Sequence, residues 1–281
     1  MTLNKRKASI LLAFVISARA TSFMFSKSCL TTMTAFSLIS LRFLCAAMIL
    51  FLFFHRHILK TFDKGDLLKG FLFGTLYFLT LFCEHMGLKT TNSGTASFLE
   101  NMAIIIVPFA EAFLTRHLPG KKTLLRAFLA MSGILLLTMK DGLPAFSSGE
   151  GLLLCAAGFY AAAIIVTSRM SRDGDSFNMG FFQVCTIASW GTVSAFFSGK
   201  YTLPSSGGQV GMIFVLAAVC TCFGFTLQPV AQSKLSSETS ALFCALSPMV
   251  AGLLGMIFLQ ESLTPFSFAG EVLILISLLI R

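Results

Sequence analysis

Five ionisable residues, Arg19, Arg42, Glu84, Glu100 and Glu111, stand inside stretches that are otherwise almost purely apolar. A charge at the centre of a bilayer costs roughly 2.5–3.5 kcal/mol on insertion scales, so each must face protein or water and find a partner there. Glu100, followed by Asn101, is a carboxyl group that could bind a cationic substrate group or exchange a proton. It could equally form a fixed ion pair with Arg19 or Arg42 that only holds helices together. Arg19 offers a planar fork of N–H donors suited to a carboxylate or phosphate, unless it serves to neutralise Glu100. Arg42 reads as structural. Tyr77 and Glu84 are seven residues apart and share a helix face, with His85 turned about 100° away. Glu84 reads either as a gate residue or as a carboxylate snorkelling to the interface. Tyr160 and Thr167 repeat the same spacing, and Gln228 shares a polar stripe with Thr221 and Gly224 just before Pro229. Such a stripe on a membrane helix faces a cavity or a neighbour, not lipid. Pro108 and Pro248 interrupt helical hydrogen bonding, which bends a span and frees carbonyls.

Helices are the elements that must position these groups. Ten stretches, at 8–25, 33–54, 66–88, 93–115, 123–139, 149–168, 177–197, 208–231, 239–259 and 264–280, each approach the roughly 20 apolar residues that cross a hydrocarbon core. Membrane strands need about half that length and alternate apolar with polar residues, which these stretches do not. The expected fold class is an all-α integral membrane protein of ten transmembrane helices. The chain is 56% hydrophobic and 12% charged, against roughly 25% charged in soluble domains. A soluble core of that size would have no surface.

The net charge of +9 does not form a nucleic-acid-binding patch, because the basic residues sit in short connectors. With the N-terminus in the cytoplasm, Lys5, Arg6, Lys7, Arg56, Lys60, Lys64, Lys69, Arg116, Lys121, Lys122, Arg126, Arg169, Arg172, Lys234 and Arg281 fall inside. Only Lys27, Lys89, Lys140 and Lys200 fall outside. Both termini are therefore expected in the cytoplasm. Lys5-Arg6-Lys7, the apolar run 10–16 and Ala18-Arg19-Ala20 imitate a cleavable signal, but arginine in the cleavage site argues for a retained first helix. The eight cysteines lie almost all within spans and read as small packing residues, with no metal or disulfide framework.

A shift of 144 positions lays Thr95-Ala96-Ser97-Phe98-Leu99 over Thr239-Ser240-Ala241-Leu242-Phe243 and brings Glu84 onto Gln228. A shift near 141 brings Arg19 onto Tyr160. Two halves follow, residues 1–142 and 143–281, each with five spans. An odd number of spans forces the halves into opposite orientations, an inverted repeat with a site at the midplane between them.

Ala20-Thr21-Ser22-Phe23 with Lys27, Leu41-Arg42-Phe43-Leu44, Ser240-Ala241 leading into Leu246-Ser247-Pro248, and Phe258-Leu259-Gln260-Glu261-Ser262-Leu263-Thr264 together resemble the drug/metabolite transporter superfamily, in its EamA-like group, over nearly the full chain. The resemblance implies a carrier working by alternating access, with a cavity lined by spans one, three, four, six, eight and nine. Ile104 stands where the shift predicts a proline matching Pro248, so Pro108 becomes the candidate breaker. Glu100 and Glu111 face Cys244 and Gly255, so the halves differ chemically.

The expected function is secondary transport of small organic metabolites, amino acids or related zwitterions first among them. Export and proton coupling are the expected mode, with Arg19, Tyr77, Glu100, Asn101, Tyr160 and Gln228 contacting substrate. Arg42, Glu84, Pro108 and Pro248 are assigned to gating or structure. A broad efflux carrier for lipophilic cations is the alternative within transport; an intramembrane enzyme is the alternative outside it. The four histidines are scattered and no Gly-x4-Gly-Lys-Ser loop is present, so no metal, cofactor or nucleotide is expected. The bilayer, a small solute and protons are the expected partners, in the inner or plasma membrane, as monomer or homodimer.

Overall fold

A computed structural model describes residues 4–91, 93–138, 148–250 and 265–280, and among them every regular element is a helix. The first half holds α1 (Lys5–Ala20), α2 (Ser22–Cys29), α3 (Ala35–Lys60), α4 (Lys64–Leu88), α5 (Ser93–Glu100), α6 (Ala103–Thr115) and α7 (Lys121–Thr138). The second holds α8 (Ser148–Met170), α9 (Ser176–Phe197), α10 (Gly207–Val215), a π-helical stretch (Leu216–Phe225), α11 (Thr226–Gln232), α12 (Ser237–Phe243) and α13 (Pro265–Leu279).

Seven helical stretches among the described residues are long and apolar enough to cross a membrane: Lys5–Cys29, Ala35–Lys60, Lys64–Leu88, Phe98–Thr115, Gly149–Met170, Ser176–Phe197 and Gly207–Gln232. They match seven of the expected spans. Helix α7 is a weaker candidate because Lys121, Lys122 and Arg126 occupy its first turns. The expected span 239–259 runs beyond residue 250, and the Phe258-to-Thr264 motif, Gly255, Lys140 and Arg281 all lie outside the described residues. Exposed Phe53, Phe113, Phe196 and Phe197 form an apolar exterior, as a bundle solvated by lipid requires.

Short polar side chains start the helices. The Asp63 carboxylate accepts from Gly65 N (2.8 Å) and Asp66 N (3.2 Å), and Asp175 accepts from Phe177 N (3.0 Å) and Asn178 N (3.3 Å). Ser206 and Ser236 do the same for α10 and α12. At the same end of the bundle, His57 Nε2 meets Asp175 Oδ2 at 2.8 Å, Lys69 donates to Asp173 O, and Arg169 pairs with Glu111. The basic connectors thus gather on one side. Thr34 and Ser37 meet Lys200 and Thr202 at the opposite end, where Gln209 donates to Thr32.

The two halves are interleaved. Helix α4 packs on α8 and α9, α3 on α9, and α7 on α13, while the π-helical stretch packs on α1 and α3. Close contact between α4 and α9 depends on two glycines. A Cβ on Gly70 would come within 2.5 Å of Phe182 Cβ, and one on Gly74 within 2.5 Å of Thr186 Cβ and 2.8 Å of Gln183 O. The sequence Gly70-x-x-x-Gly74 is thus a small-residue face against which a neighbouring backbone rests. Overpacking such a seam costs about 1–3 kcal/mol. Gly74→Val should therefore lower the thermal stability of the detergent-solubilised protein, whereas Gly158→Ala, which meets open space, should leave it unchanged or higher; equal melting temperatures would show that the seam does not bear on α4–α9 packing.

Candidate functional site

Arg19, in the last turn of α1, is the first charge the fold must satisfy. Its Nη1 donates to Gln228 Oε1 at 2.5 Å and to Tyr160 OH at 3.3 Å. Its guanidinium carbon lies 4.2 Å from the centre of the Phe225 ring, 5.4 Å from that of Tyr160 and 5.5 Å from that of Tyr77, a cage of negative ring faces that suits a desolvated cation. The Gln228 amide is fixed in turn, because its Nε2 donates to Tyr77 OH at 2.5 Å. Tyr160 OH continues the chain to Cys244 Sγ at 3.2 Å. Gly224 makes room for the arginine stem: a Cβ there would stand 2.7 Å from Arg19 Cγ.

The remaining face of Arg19 looks into a small cavity. Arg42, Glu84, Glu100, Asn101, Tyr160, Phe225, Cys244, Ser22 and Ser247 share its walls. All four charged residues come from the first half, and the second half contributes only neutral groups. Arg42 is 1% exposed, and its Nε donates to Thr221 Oγ1 at 2.8 Å while Nη1 is enclosed without an acceptor. Glu84 and Glu100 are also buried. Among the described residues, no ion pair joins either carboxylate to either guanidinium, so the fixed-pair expectation for Glu100 is not what the structure shows.

Helix interruptions bring backbone to this cavity. Between α5 and α6, Met102 N bonds to Leu99 O (3.1 Å) and Ile104 N to Asn101 O (2.9 Å), a tightened turn directly beside Glu100. After α12, Cys244 N bonds to Ala241 O (3.0 Å) and Ser247 N to Cys244 O (2.9 Å). Pro248 explains the second break, since it cannot donate to the Cys244 carbonyl. Pro108 does not explain the first. It lies inside α6, beyond the break, and lines a separate small cleft with Thr123, Arg126 and Glu238.

Several expected roles change. Tyr77 and Gln228 brace Arg19 from behind and do not line the cavity, because Gln228 spends both its amide atoms on Arg19 and Tyr77. Arg42 and Glu84, assigned from sequence to structure or gating, are cavity residues. Glu84 does not snorkel: it is 5% exposed, since α4 is packed against the second half on that face. Glu111 takes two hydrogen bonds from Arg169. Cys244, Ser247, Ser22 and Phe225 were missed as lining residues. The one signal for them was register, since Cys244 occupies the position of Glu100 in the second half. All eight cysteines are free, and no metal-binding cluster occurs among the described residues.

A multi-pass helical membrane protein with a charged cavity between two interleaved halves is the class that this geometry defines. The chain belongs to the EamA-like transporter family, whose model matches residues 7–139 and again 147–280. Two relatives from Archaeoglobus fulgidus, each named an uncharacterized transporter, are similar over most of their length. One is 26% identical over 278 residues, covering 97% of this chain and 85% of the relative. The other is 24% identical over 277 residues, covering 95% and 94%. A solved crystal structure shares the fold, with a TM-score of 0.79 at 13% identity over 98% of this chain and 96% of that one. The protein is therefore a membrane transporter of the EamA type.

Removing the Gln228 amide strands Arg19 Nη1 and Tyr77 OH together. An unsatisfied buried donor or acceptor costs about 1–3 kcal/mol, so Gln228→Leu should destabilise the protein by that order, and Gln228→Leu in a Tyr77→Phe background should cost less. A double-mutant cycle on thermal unfolding measures the coupling; simple additivity would remove Gln228 from the network.

Proposed function

We propose that the chain is a secondary transporter exporting small zwitterionic metabolites, amino acids above all, by alternating access and in exchange for protons. The carrying observation is the central cavity, where two guanidinium groups and two carboxyl groups face one space without pairing to each other. A zwitterion offers each a partner: its carboxylate takes the open N–H groups of Arg19, and its ammonium group takes Glu100. Glu100 is the proton site in this reading, because a carboxyl group on the cavity wall can hold either a proton or the substrate amine, and exchange between them couples the two fluxes. Asn101 and Tyr160 complete the binding wall.

The halves act as two inverted five-helix units. Support comes from register: the turn at Asn101 and Met102 and the turn at Cys244 and Ala245 are 143 positions apart, within one residue of the 144-position shift of the sequence repeat. Rocking of such units about a midplane site is the usual route to alternating access. One copy contains both halves of the cavity, so a monomer suffices. The gathering of basic connectors at one end supports cytoplasmic termini in the cell membrane.

Purified protein in liposomes, supplied with labelled amino acids with and without a pH gradient, tests the reading. Gradient-driven accumulation is expected in wild type and should be lost in Glu100→Gln. Gradient-independent exchange surviving in the variant would make Glu100 structural, and flux of lipophilic cations without amino-acid flux would favour a broad efflux carrier. For orientation, cysteine introduced at Lys64 in a cysteine-free background should resist an impermeant thiol reagent in intact cells, while cysteine at Lys200 should react; the reverse pattern inverts the topology.

A further inference from the structure

Arg42 lines the same cavity as Arg19 and Glu100, and nothing in the chemistry assigned to those two uses it. Its position is built and not incidental. The Nε group is held by Thr221 Oγ1, and that hydroxyl is anchored by its own bond to Leu216 O at 3.0 Å, a bond that spans five residues along the π-helical stretch. The guanidinium is braced by aromatic rings, with its carbon 5.2 Å from the centre of Phe43 and 5.8 Å from that of Phe225. The side chain is 1% exposed, reaches the cavity wall, and carries an enclosed Nη1 that lacks an acceptor. An orphaned charged donor in that setting is costly unless an acceptor arrives with the ligand.

Both cations lie close to the Phe225 ring. Arg19 lies 4.2 Å and Arg42 5.8 Å from the centre of that one ring, so the two guanidinium groups cannot be farther apart than those distances laid end to end. A short dicarboxylate can give one end to each guanidinium within that limit. Glu84 and Glu100 on the same walls leave the cavity without net formal charge. Carboxylates beside the guanidinium groups call for a solute that brings an ammonium group of its own, which a phosphate dianion lacks.

We propose that Arg42 forms a second anion subsite of the transport cavity, and that the preferred substrates are amino acids with an acidic side chain. The α-carboxylate binds Arg19, the α-ammonium group binds Glu100, and the side-chain carboxylate supplies the acceptor that Arg42 Nη1 lacks. This rests on the amino-acid reading above and narrows it.

Glutamate and aspartate, against glutamine and asparagine, are the discriminating probes, since each pair differs by one oxygen-for-NH2 exchange at the side-chain end. In wild-type proteoliposomes the acids should be moved with kcat/KM at least about tenfold above their amides, because charge-assisted bonds to arginine are roughly twice as strong as neutral ones. In Arg42→Gln the acid-to-amide ratio should fall toward one. Equal transport of acids and amides by wild type overturns the second subsite but leaves the amino-acid reading standing; absence of flux for all four overturns both. The wild-type ratio decides the matter even if the variant fails to assemble, and an Arg42→Gln protein that assembles with its acid preference intact overturns the proposal.

Discussion

The cation of Arg19, held within an apolar bundle, is the constraint around which the centre of this molecule is arranged. A guanidinium there needs acceptors, polarisable faces and space, and each comes from a different helix. Gln228 on α11 accepts its hydrogen bond, Tyr160 on α8 accepts another, Phe225 and Tyr77 supply ring faces, and Gly224 gives way to its stem. The clamp fixes Arg19 while leaving one face of it open to the cavity. It also ties α1 and α4 of one half to α8 and α11 of the other, so the charge is part of what joins the two halves.

Chemistry is divided unequally between those halves. The four charged residues at the cavity all precede residue 143, and the second half answers with a phenol, a thiol, a hydroxyl and an aromatic ring. Contacts between the halves make this concrete: Arg19 meets Tyr160, and Tyr160 in turn meets Cys244. One half thus carries the cavity's charge while the other lines it with neutral groups. Backbone interruptions beside Glu100 and before Pro248, together with the π-helical stretch ahead of Gln228, place the least regular hydrogen bonding of the bundle next to the cavity. Irregular backbone at membrane depth is tolerated where it borders protein or a cavity.

Much of the framework was legible in the sequence because the bilayer imposes a length and polarity rule on every span. Seven long helices fall where the apolar stretches predict them, and the rarity of intramembrane charge singled out Arg19 and Glu100. Pro108 misled as the breaker, because it stands inside α6, beyond the turn, and the actual turn at Asn101 carries no proline.

Sequence alone determined that this is a helical membrane protein and which residues are too polar to face lipid. Each depends on composition and local periodicity, which a one-dimensional pattern carries in full. Only the tertiary structure decided which polar groups share a cavity and which serve one another. Gln228 and Tyr77 looked like substrate ligands and became braces, while Arg42 and Glu84 looked structural and became cavity walls. That assignment depends on rotation about helix axes and on contacts across more than a hundred residues of chain, and neither is written in the spacing of any single span.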